Sequence, residues 1–228
     1  MTFIRLHVTA EGQTEEAFVK RILAPHLGAF NVFADARSVL TSKDRKAHKK
    51  YRGGLISYSK AKADIETWMK EDRRTECRFT TMFDLYALPG DFPGYADAGR
   101  ENDPYCKVKA LENALKEDIE DRRFIPYIQL HEFEALILAD AGKLDWEYLD
   151  HDAPIRRLVD MAGNQNPELI DDTSEGAPSK RILDELPEYD KVNSGVLVAE
   201  KIGLQTMKAK CSHFRTWVEL LEGLGKAR

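Results

Sequence analysis

The hydrophobic positions of this chain change their spacing several times, and each change predicts a new element. Apolar residues alternate with polar ones over short stretches, as in strands, and recur every three or four positions over longer ones, as in helices. The two kinds of stretch follow one another as strand, helix, strand, helix, strand, helix and strand, over residues 3–9, 14–28, 31–40, 57–72, 78–85, 104–122 and 124–130. Such alternation is typical of a mostly parallel sheet flanked by helices, so we predict an α/β fold.

After Gly142 the pattern consists of short helical stretches broken by prolines, and no further strand is indicated. We therefore predict an α/β core over residues 1–140 and a helical extension over residues 141–228 that packs on it. Helical spacing also predicts which side chains face inward on two earlier helices. These are Ile56, Ala63 and Trp68 for the helix over 57–72, and Val108, Leu111, Leu115 and Ile119 for the helix over 104–122.

Composition limits the classes of function that the chain can have. The 228 residues are 43% hydrophobic, which suffices for a sizeable core, and the net charge of -5 excludes a generic polyanion binder. Three distant cysteines argue against a disulfide framework and against a zinc site built on cysteine pairs. No apolar signal core begins the chain, and no apolar run approaches the ~20 residues that cross a bilayer. We expect a cytoplasmic protein with no membrane partner.

Acidic residues stand where three of the predicted strands end. They form three groups: Glu11 with Glu15 and Glu16, Asp84 with Asp91, and Glu132 with Glu134. Because parallel strands end at one edge of a sheet, where ligands bind, these carboxylates are expected to converge. Converging carboxylates repel one another unless a hard cation is present, and Mg²⁺ prefers oxygen ligands. The sequence therefore predicts a site for one or two divalent ions.

Each acidic group also has a purely structural interpretation, which the sequence leaves open. Glu15 and Glu16 could be favourable charges at the N-terminus of a helix. Asp84 could form the turn that ends its strand. Glu132 and Glu134 could both be solvated.

Two basic segments are candidates for contacts with phosphate. Residues 43–52 carry six Lys or Arg against one Asp. In this run we predict that nucleic acid is bound by Lys46, Lys49, Lys50 and Arg52; the alternative is a solvated loop. Lys180, at the start of a predicted helix, could offset the charge on a scissile phosphate, or could be ordinary surface charge.

The residues around these acids resemble a known family. The segment EGQTEE after an apolar strand is similar to the first acidic motif of Toprim-type domains of topoisomerases, DnaG-type primases and OLD-family nucleases. Its OLD-like form, E-G-x-[ST]-[DE], is matched by Glu11 and Glu15. The second motif, D-x-D, is resembled by Asp84-Leu85-Tyr86, with Tyr86 in place of the second acid, which Asp91, Glu132 or Glu134 would then replace. Together with MFDLYALPGDFPG, HEFEALILAD and APSKRI, the pattern is more specifically similar to the DUF4276 family of bacterial Toprim-like proteins, over most of the chain.

This resemblance implies a Toprim-like sheet and phosphodiester chemistry on nucleic acid that depends on Mg²⁺ or Mn²⁺. It implies that Glu11 is a general acid/base or a metal ligand, and that Lys180 is the cation that stabilises the transition state. The implied metal ligands are Glu15, Asp84 and Glu132, with Glu134 as the reserve. Relatives of this type are often paired with an ABC/SMC-like ATPase in anti-phage defence, so such an ATPase is an expected partner, and a homodimer is an open alternative for the oligomeric state.

Three classes of function remain in view from the sequence. The first is a metal-dependent nuclease, the effector of a defence system. The second is a binding or regulatory subunit with a degraded site, which Tyr86 favours. The third is a small-molecule phosphohydrolase or phosphotransferase that uses the same acids. The chain lacks G-x-x-x-x-G-K-[ST], so it is not expected to be an ATPase itself.

Overall fold

A parallel sheet forms the centre of the molecule. The computed structural model describes residues 3–44, 49–52, 55–163, 165–170 and 176–226, with only the backbone described for 40–44 and 49–52. The strands of the sheet are β1 (Ile4–Ala10), β2 (Val32–Ser38), β5 (Cys77–Asp84), β6 (Phe124–Ile125) and β7 (Ile128–Gln129). Their order is β2-β1-β5-β6, with β7 also on β5, and all these pairs are parallel. Two further strands, β3 (Leu40–Asp44) and β4 (Lys49–Arg52), form a separate antiparallel hairpin.

Helices make up most of the rest of the described chain. The α-helices are α1 (Gln13–Phe18), α2 (Ala24–Gly28), α3 (Tyr58–Glu71), α4 (Tyr95–Ala98), α5 (Pro104–Ile119), α6 (Glu134–Ile137), α7 (Asp152–Ala162), α8 (Pro178–Glu185), α9 (Val196–Ile202), α10 (Leu204–Lys210) and α11 (Ser212–Gly223). Turns of π-helix cover Val19–Leu23 and Lys191–Gly195, and 3₁₀ turns cover Leu85–Ala87, Leu138–Trp146 and Pro167–Leu169. Within the described ranges, no helix has the length and apolar character to cross a membrane.

The sheet separates two hydrophobic cores. On β1, the alternate residues Leu6 and Val8 are fully buried against a core that includes the helices of the C-terminal half. On β5, Phe79 and Phe83 point to the other core, which α3 and α5 cover. Burial on both faces explains why these strands are rich in apolar residues. The predicted α/β class, with a mostly parallel sheet flanked by helices, is confirmed.

Two details of the predicted elements need correction. The strand predicted over 124–130 is split into β6 and β7, because Pro126 between them has no N–H to donate to a ladder. On α3, Trp68 is buried as predicted, but Ala63 is exposed, and Ile56, which precedes the helix, is 67% exposed. The buried face of α3 is Ala61, Ile65 and Trp68, which recur at four and three positions, so Ala63 lies on the opposite side.

The C-terminal helices pack directly on the sheet. The Trp217 indole of α11 donates to Thr80 Oγ1 of β5 at 3.0 Å and stacks on Tyr127 with ring centroids 4.0 Å apart. Phe214 of the same helix meets Phe18 of α1 at 6.0 Å. No strand occurs in the described part of the chain beyond residue 142, as predicted. The division into 1–140 and 141–228 stays a prediction.

Candidate functional site

Glu11 is the first residue beyond β1 and reaches the end of β5. The parallel register sets Ala10 beside Met82, and the Glu11 N–H donates to the Met82 carbonyl oxygen at 3.0 Å. The Glu11 carboxylate then accepts the Asp84 N–H at 3.0 Å. The register of two neighbouring strands therefore brings together two acids that are far apart in the sequence.

Glu15 and Glu16 follow in α1 and have different surroundings. One Glu15 oxygen accepts the Gly12 N–H at 2.9 Å, which caps the helix, and the other lies 3.4 Å from Lys191 Nζ. The sequence left open whether Glu15 stabilises the start of a helix or lies in the site, and in the structure it does both. Glu16 instead accepts the Ser38 N–H at 2.9 Å and pairs with Lys20 at 2.7 Å, so its contacts are structural.

Asp84 and Glu134 complete a buried group of acids. Asp84 is the last residue of β5 and is 3% exposed, and Glu134 is the first residue of α6 and is 0% exposed. Lys191 Nζ lies 2.9 Å from Asp84 Oδ2 and 3.2 Å from Glu134 Oε2. We call Glu11, Glu15, Asp84 and Glu134 the acid cluster. It gathers the ends of β1 and β5 with the starts of α1 and α6 at the carboxyl edge of the sheet.

The remaining predicted acids have partners of their own. Glu132 accepts the Ser179 N–H at 2.7 Å, at the start of α8. Lys180 is the next residue and is exposed. Asp91 accepts the Tyr58 N–H at 3.0 Å, so it caps α3. The predicted roles of Glu132 as a metal ligand and of Lys180 as a catalytic cation stay predictions.

The predicted nucleic-acid contacts lie on and beside the β3–β4 hairpin. Lys49, Lys50 and Arg52 belong to β4, for which the backbone is described. Lys46 lies outside the described residues. Their contact with nucleic acid stays a prediction.

Lys191 is the side chain at the acid cluster that the sequence did not indicate. It begins a π-helical turn that Asp190 caps, since the Asp190 carboxylate accepts the N–H groups of Val192 and Asn193 at 2.9 and 3.0 Å. An Asp at this position marks the start of a helix. It does not reveal that the next side chain reaches acids more than 50 residues away in the sequence, so we found no sequence signal for Lys191.

Burial and mutual repulsion change the acidity of the cluster. Burial, followed by the charge of Asp84, raises the pKa of Glu11 to about 8 and raises the pKa of Glu15. Burial also raises the pKa of Glu134 to about 8, against the opposing effect of Lys191. Burial by itself lowers the pKa of Lys191, but Asp84, Glu134 and Glu15 raise it above its ordinary value. Near neutral pH, a metal-free cluster therefore keeps part of its carboxyl groups protonated.

The acid cluster offers the donor set of a hard divalent cation. All its ligand atoms are carboxylate oxygens, and the Lys191 ammonium group lies within 3.4 Å of three of the carboxylates. Asp84 Oδ1 and Glu134 Oε1 are buried with no hydrogen bond to any described residue, and Glu134 Oε2 has only its ion-pair contact with Lys191. The ammonium group occupies the place between those carboxylates where a cation would be held. These oxygen donors match the ligand chemistry of Mg²⁺ or Mn²⁺, but with Lys191 among them no three of these carboxylates bring ligand atoms within 4.8 Å of one another in the described chain.

A second group of metal-donor side chains lies near the other end of the sheet. Atoms of His7, Asp72 and Cys77 lie within 4.8 Å of one another. Arg5 Nε already lies 3.2 Å from Asp72, and His7 Nε2 lies 3.0 Å from it. Burial and Asp72 raise the pKa of Cys77 to about 11, which keeps it a neutral thiol. We interpret this group as a structural hydrogen-bonded cluster.

Comparison with known proteins adds a family and a distant structure. A family model described as "Domain of unknown function (DUF4276)" matches residues 10–222. A solved structure described as the C-terminal region of the Xanthomonas campestris pv. campestris OLD protein is similar to this chain, with 14% identity and a TM-score of 0.41, and the similarity covers 96% of this chain and 98% of that one. A similarity this distant does not assign chemistry. Among curated proteins, no significant match was found.

Proposed function

Because this chain belongs to the DUF4276 family, we propose that its acid cluster is the active site of a Toprim-type nuclease that depends on Mg²⁺ or Mn²⁺. The observation that carries the proposal is the convergence of Glu11, Asp84 and Glu134 at the carboxyl edge of a parallel sheet. The EGQTEE motif, which resembles the first Toprim motif, supplies Glu11 and Glu15 to that site. Buried, oxygen-only carboxylates at such an edge support metal-assisted phosphodiester hydrolysis over other chemistry.

The residues of the cluster have separable roles in this proposal. Asp84, Glu134 and Glu15 would hold the cation, which when bound would polarise the phosphate and stabilise charge in the transition state. Burial raises the pKa of Glu11 to about 8 in the metal-free cluster, and this side chain would be the one to remove a proton from the attacking water. Lys191 places a positive charge among the carboxylates, where it would offset the charge of an incoming phosphate.

We also propose that the nuclease works with an ABC/SMC-like ATPase in anti-phage defence. The support is the resemblance of the motifs to a family in which such pairing is frequent. Since the chain lacks a phosphate-binding ATPase motif of its own, a partner would have to supply ATP hydrolysis.

Two observations favour a second candidate function, a binding subunit with a degraded site. Lys191 already makes ion pairs with Asp84, Glu134 and Glu15. An ammonium group in that position competes with a divalent cation for the same oxygens. Tyr86, which is 40% exposed, also stands where the second motif usually has an acid. In this alternative the chain would bind its partner and nucleic acid without cleaving it.

Replacement of Glu11 by Gln or of Asp84 by Asn is expected to lower the rate of cleavage by about a hundredfold or more. Each replacement removes a negative charge at the reacting centre. The measurement is cleavage of plasmid DNA and tRNA in Mg²⁺ or Mn²⁺, with and without an ABC/SMC-like ATPase. Glu66→Gln, which changes a surface carboxylate of α3 paired with Lys70, is the control and should retain full cleavage.

The same assay distinguishes the two candidate functions. A nuclease loses cleavage in both site variants while its circular dichroism and binding to the ATPase are unchanged. A binding subunit has no cleavage under any of these conditions, yet retains that binding. Cleavage that survives in both variants would contradict an active site at the acid cluster.

Neutralising the hairpin lysines together, as Lys46→Gln, Lys49→Gln and Lys50→Gln, is expected to weaken nucleic-acid binding. The triple variant should also reduce the slope of log affinity against log salt by up to about three, since each lysine that neutralises a phosphate releases about one counterion. Fluorescence anisotropy over a salt series measures both quantities. Unchanged affinity and slope would identify the segment as a solvated hairpin.

A further inference from the structure

A basic cleft lies at the opposite end of the sheet from the acid cluster. Its volume is about 870 Å³, and it is lined where β1, β5 and β6 begin. Its lining contains six cationic side chains: Arg73, Arg74, Arg78, Arg122, Arg123 and Lys226. The carboxylate among the lining residues is Asp121. The cleft is therefore strongly positive, on a chain whose net charge is -5.

Two of these arginines are held in place by the protein. Arg123 forms a two-point pair with Asp121, with Nη2 and Nε at 2.8 and 3.1 Å from its oxygens, and donates to the Asp72 carbonyl oxygen at 2.8 Å. Arg78 donates to the carbonyl oxygens of Thr75 and Cys77 at 2.9 and 2.7 Å. Because these contacts order the side chains in advance, a ligand would lose less entropy on binding them.

Two other arginines of the cleft are available to a ligand. Arg73 and Arg122 are exposed and have no hydrogen bond or ion pair with any residue that the structure describes. The C-terminal segment adds Lys226, and close backbone packing holds that segment in place, because a Cβ added to Gly225 would clash with the Phe30 carbonyl oxygen. The fold thus brings like charges together from distant parts of the chain, and an anion would relieve their repulsion.

We propose that this cleft binds a nucleotide-sized polyphosphate and recognises its chain of phosphates. The volume is in the range of small-ligand sites, and guanidinium groups recognise phosphate oxygens in pairs. No aromatic side chain is among the described residues that line it, so a base would find no stacking partner there. The number of phosphates, more than the base, therefore determines affinity.

The cleft is distinct from the acid cluster. β5 begins at Cys77 near the cleft and ends at Asp84 in the cluster, and its eight residues span about 23 Å at ~3.3 Å per residue. A nucleotide bound in the cleft cannot reach the carboxylates with its phosphates. The site therefore goes beyond the proposed nuclease activity and does not depend on it.

Calorimetric titration in EDTA tests the proposal, since without divalent ions the acid cluster cannot hold a metal–nucleotide complex. Inorganic tripolyphosphate and ATP should bind with similar affinity, and AMP about tenfold more weakly or worse. The double variant Arg73→Gln, Arg122→Gln should weaken tripolyphosphate and ATP binding by about tenfold or more, which corresponds to ~1.4 kcal/mol. The double variant Arg156→Gln, Arg215→Gln removes two exposed arginines elsewhere and should leave both affinities within about twofold.

The Glu11→Gln protein should bind ATP normally, so a failure of the nuclease proposal and a failure of this one are distinguishable. Absence of tripolyphosphate binding at millimolar concentration would overturn the proposal. Equal affinities for ATP and AMP would overturn it as well, and so would an equal decrease in tripolyphosphate affinity in the two double variants. If a single-stranded 20-nucleotide DNA binds and its binding requires Arg73 and Arg122, while tripolyphosphate does not bind, the cleft would be reassigned to nucleic acid.

Discussion

Lys191→Met is expected to lower the free energy of unfolding of the metal-free protein by about 2–3 kcal/mol. The ammonium group pairs with Asp84 and Glu134 at 2.9 and 3.2 Å, and those side chains are 4% and 0% exposed. Removing one partner of a buried pair costs about 3–5 kcal/mol because the other charge stays buried. The expected decrease of about 2–3 kcal/mol is smaller than this range because the Lys191 side chain is 32% exposed, so solvent screens part of its charge. Urea denaturation in EDTA measures the decrease.

Two further measurements make this prediction specific. Lys20→Met removes a surface pair with Glu16 and should change stability by less than about 0.5 kcal/mol. Mn²⁺ should stabilise the Lys191 variant more than the wild type, because the cation would no longer compete with the ammonium group. Equal decreases in the two lysine variants, with no greater effect of Mn²⁺, would show that Lys191 does not neutralise the cluster.

The metal-free protein is expected to lose stability as the pH rises from about 5 to 8, and to level off above pH 8. The pKa of Glu11 and of Glu134 is about 8 in the folded protein against 4.5 ordinarily, so between these values the folded state holds more protons. The contribution of these two groups to the free energy of unfolding is therefore fully present below about pH 4.5 and is lost as the pH rises through 8. Each group contributes at most about 1.4 kcal/mol per pH unit.

Urea denaturation at pH 5.5, 7.0 and 8.5 in EDTA measures this slope. Glu134→Gln replaces a titrating acid by a neutral group of the same shape and should flatten the slope by up to about 1.4 kcal/mol per pH unit. Glu66→Gln should leave it unchanged. The lowered pKa values of Glu16 and Asp72 act in the opposite direction, but below about pH 4.5. Burial lowers the pKa of His7, which also opposes the slope, but only below the ordinary histidine value of 6.5.

Stability that stays level or rises from pH 5.5 to 7.0 would contradict the raised pKa values of Glu11 and Glu134. Added Mn²⁺ should restore stability most at pH 8.5, since it takes the place of the protons on the carboxylates.

The spacing of apolar residues located most of the elements of this protein. The change between strand and helix spacing indicated β1, β2, β5, α3 and α5, because these elements bury one face or both and need apolar residues at that spacing. It also set Glu11 and Asp84 at strand ends, where the parallel register could join them. The predicted strand boundary was wrong at Pro126, where one residue interrupts the strand. Of the three side chains predicted to face inward near α3, Trp68 is buried and Ile56 and Ala63 are exposed.

Which charges meet depends on the packing of the whole chain. Asp84 and Lys191 are 107 positions apart, and they pair because the C-terminal helices pack over the sheet. Glu134, the reserve choice from sequence, is fully buried beside Lys191, whereas Glu132 is bound by Ser179. The basic cleft likewise joins side chains from distant parts of the chain. Hydrophobic spacing is a local property that one segment carries by itself, but the position of a charge depends on long-range packing that no single segment contains.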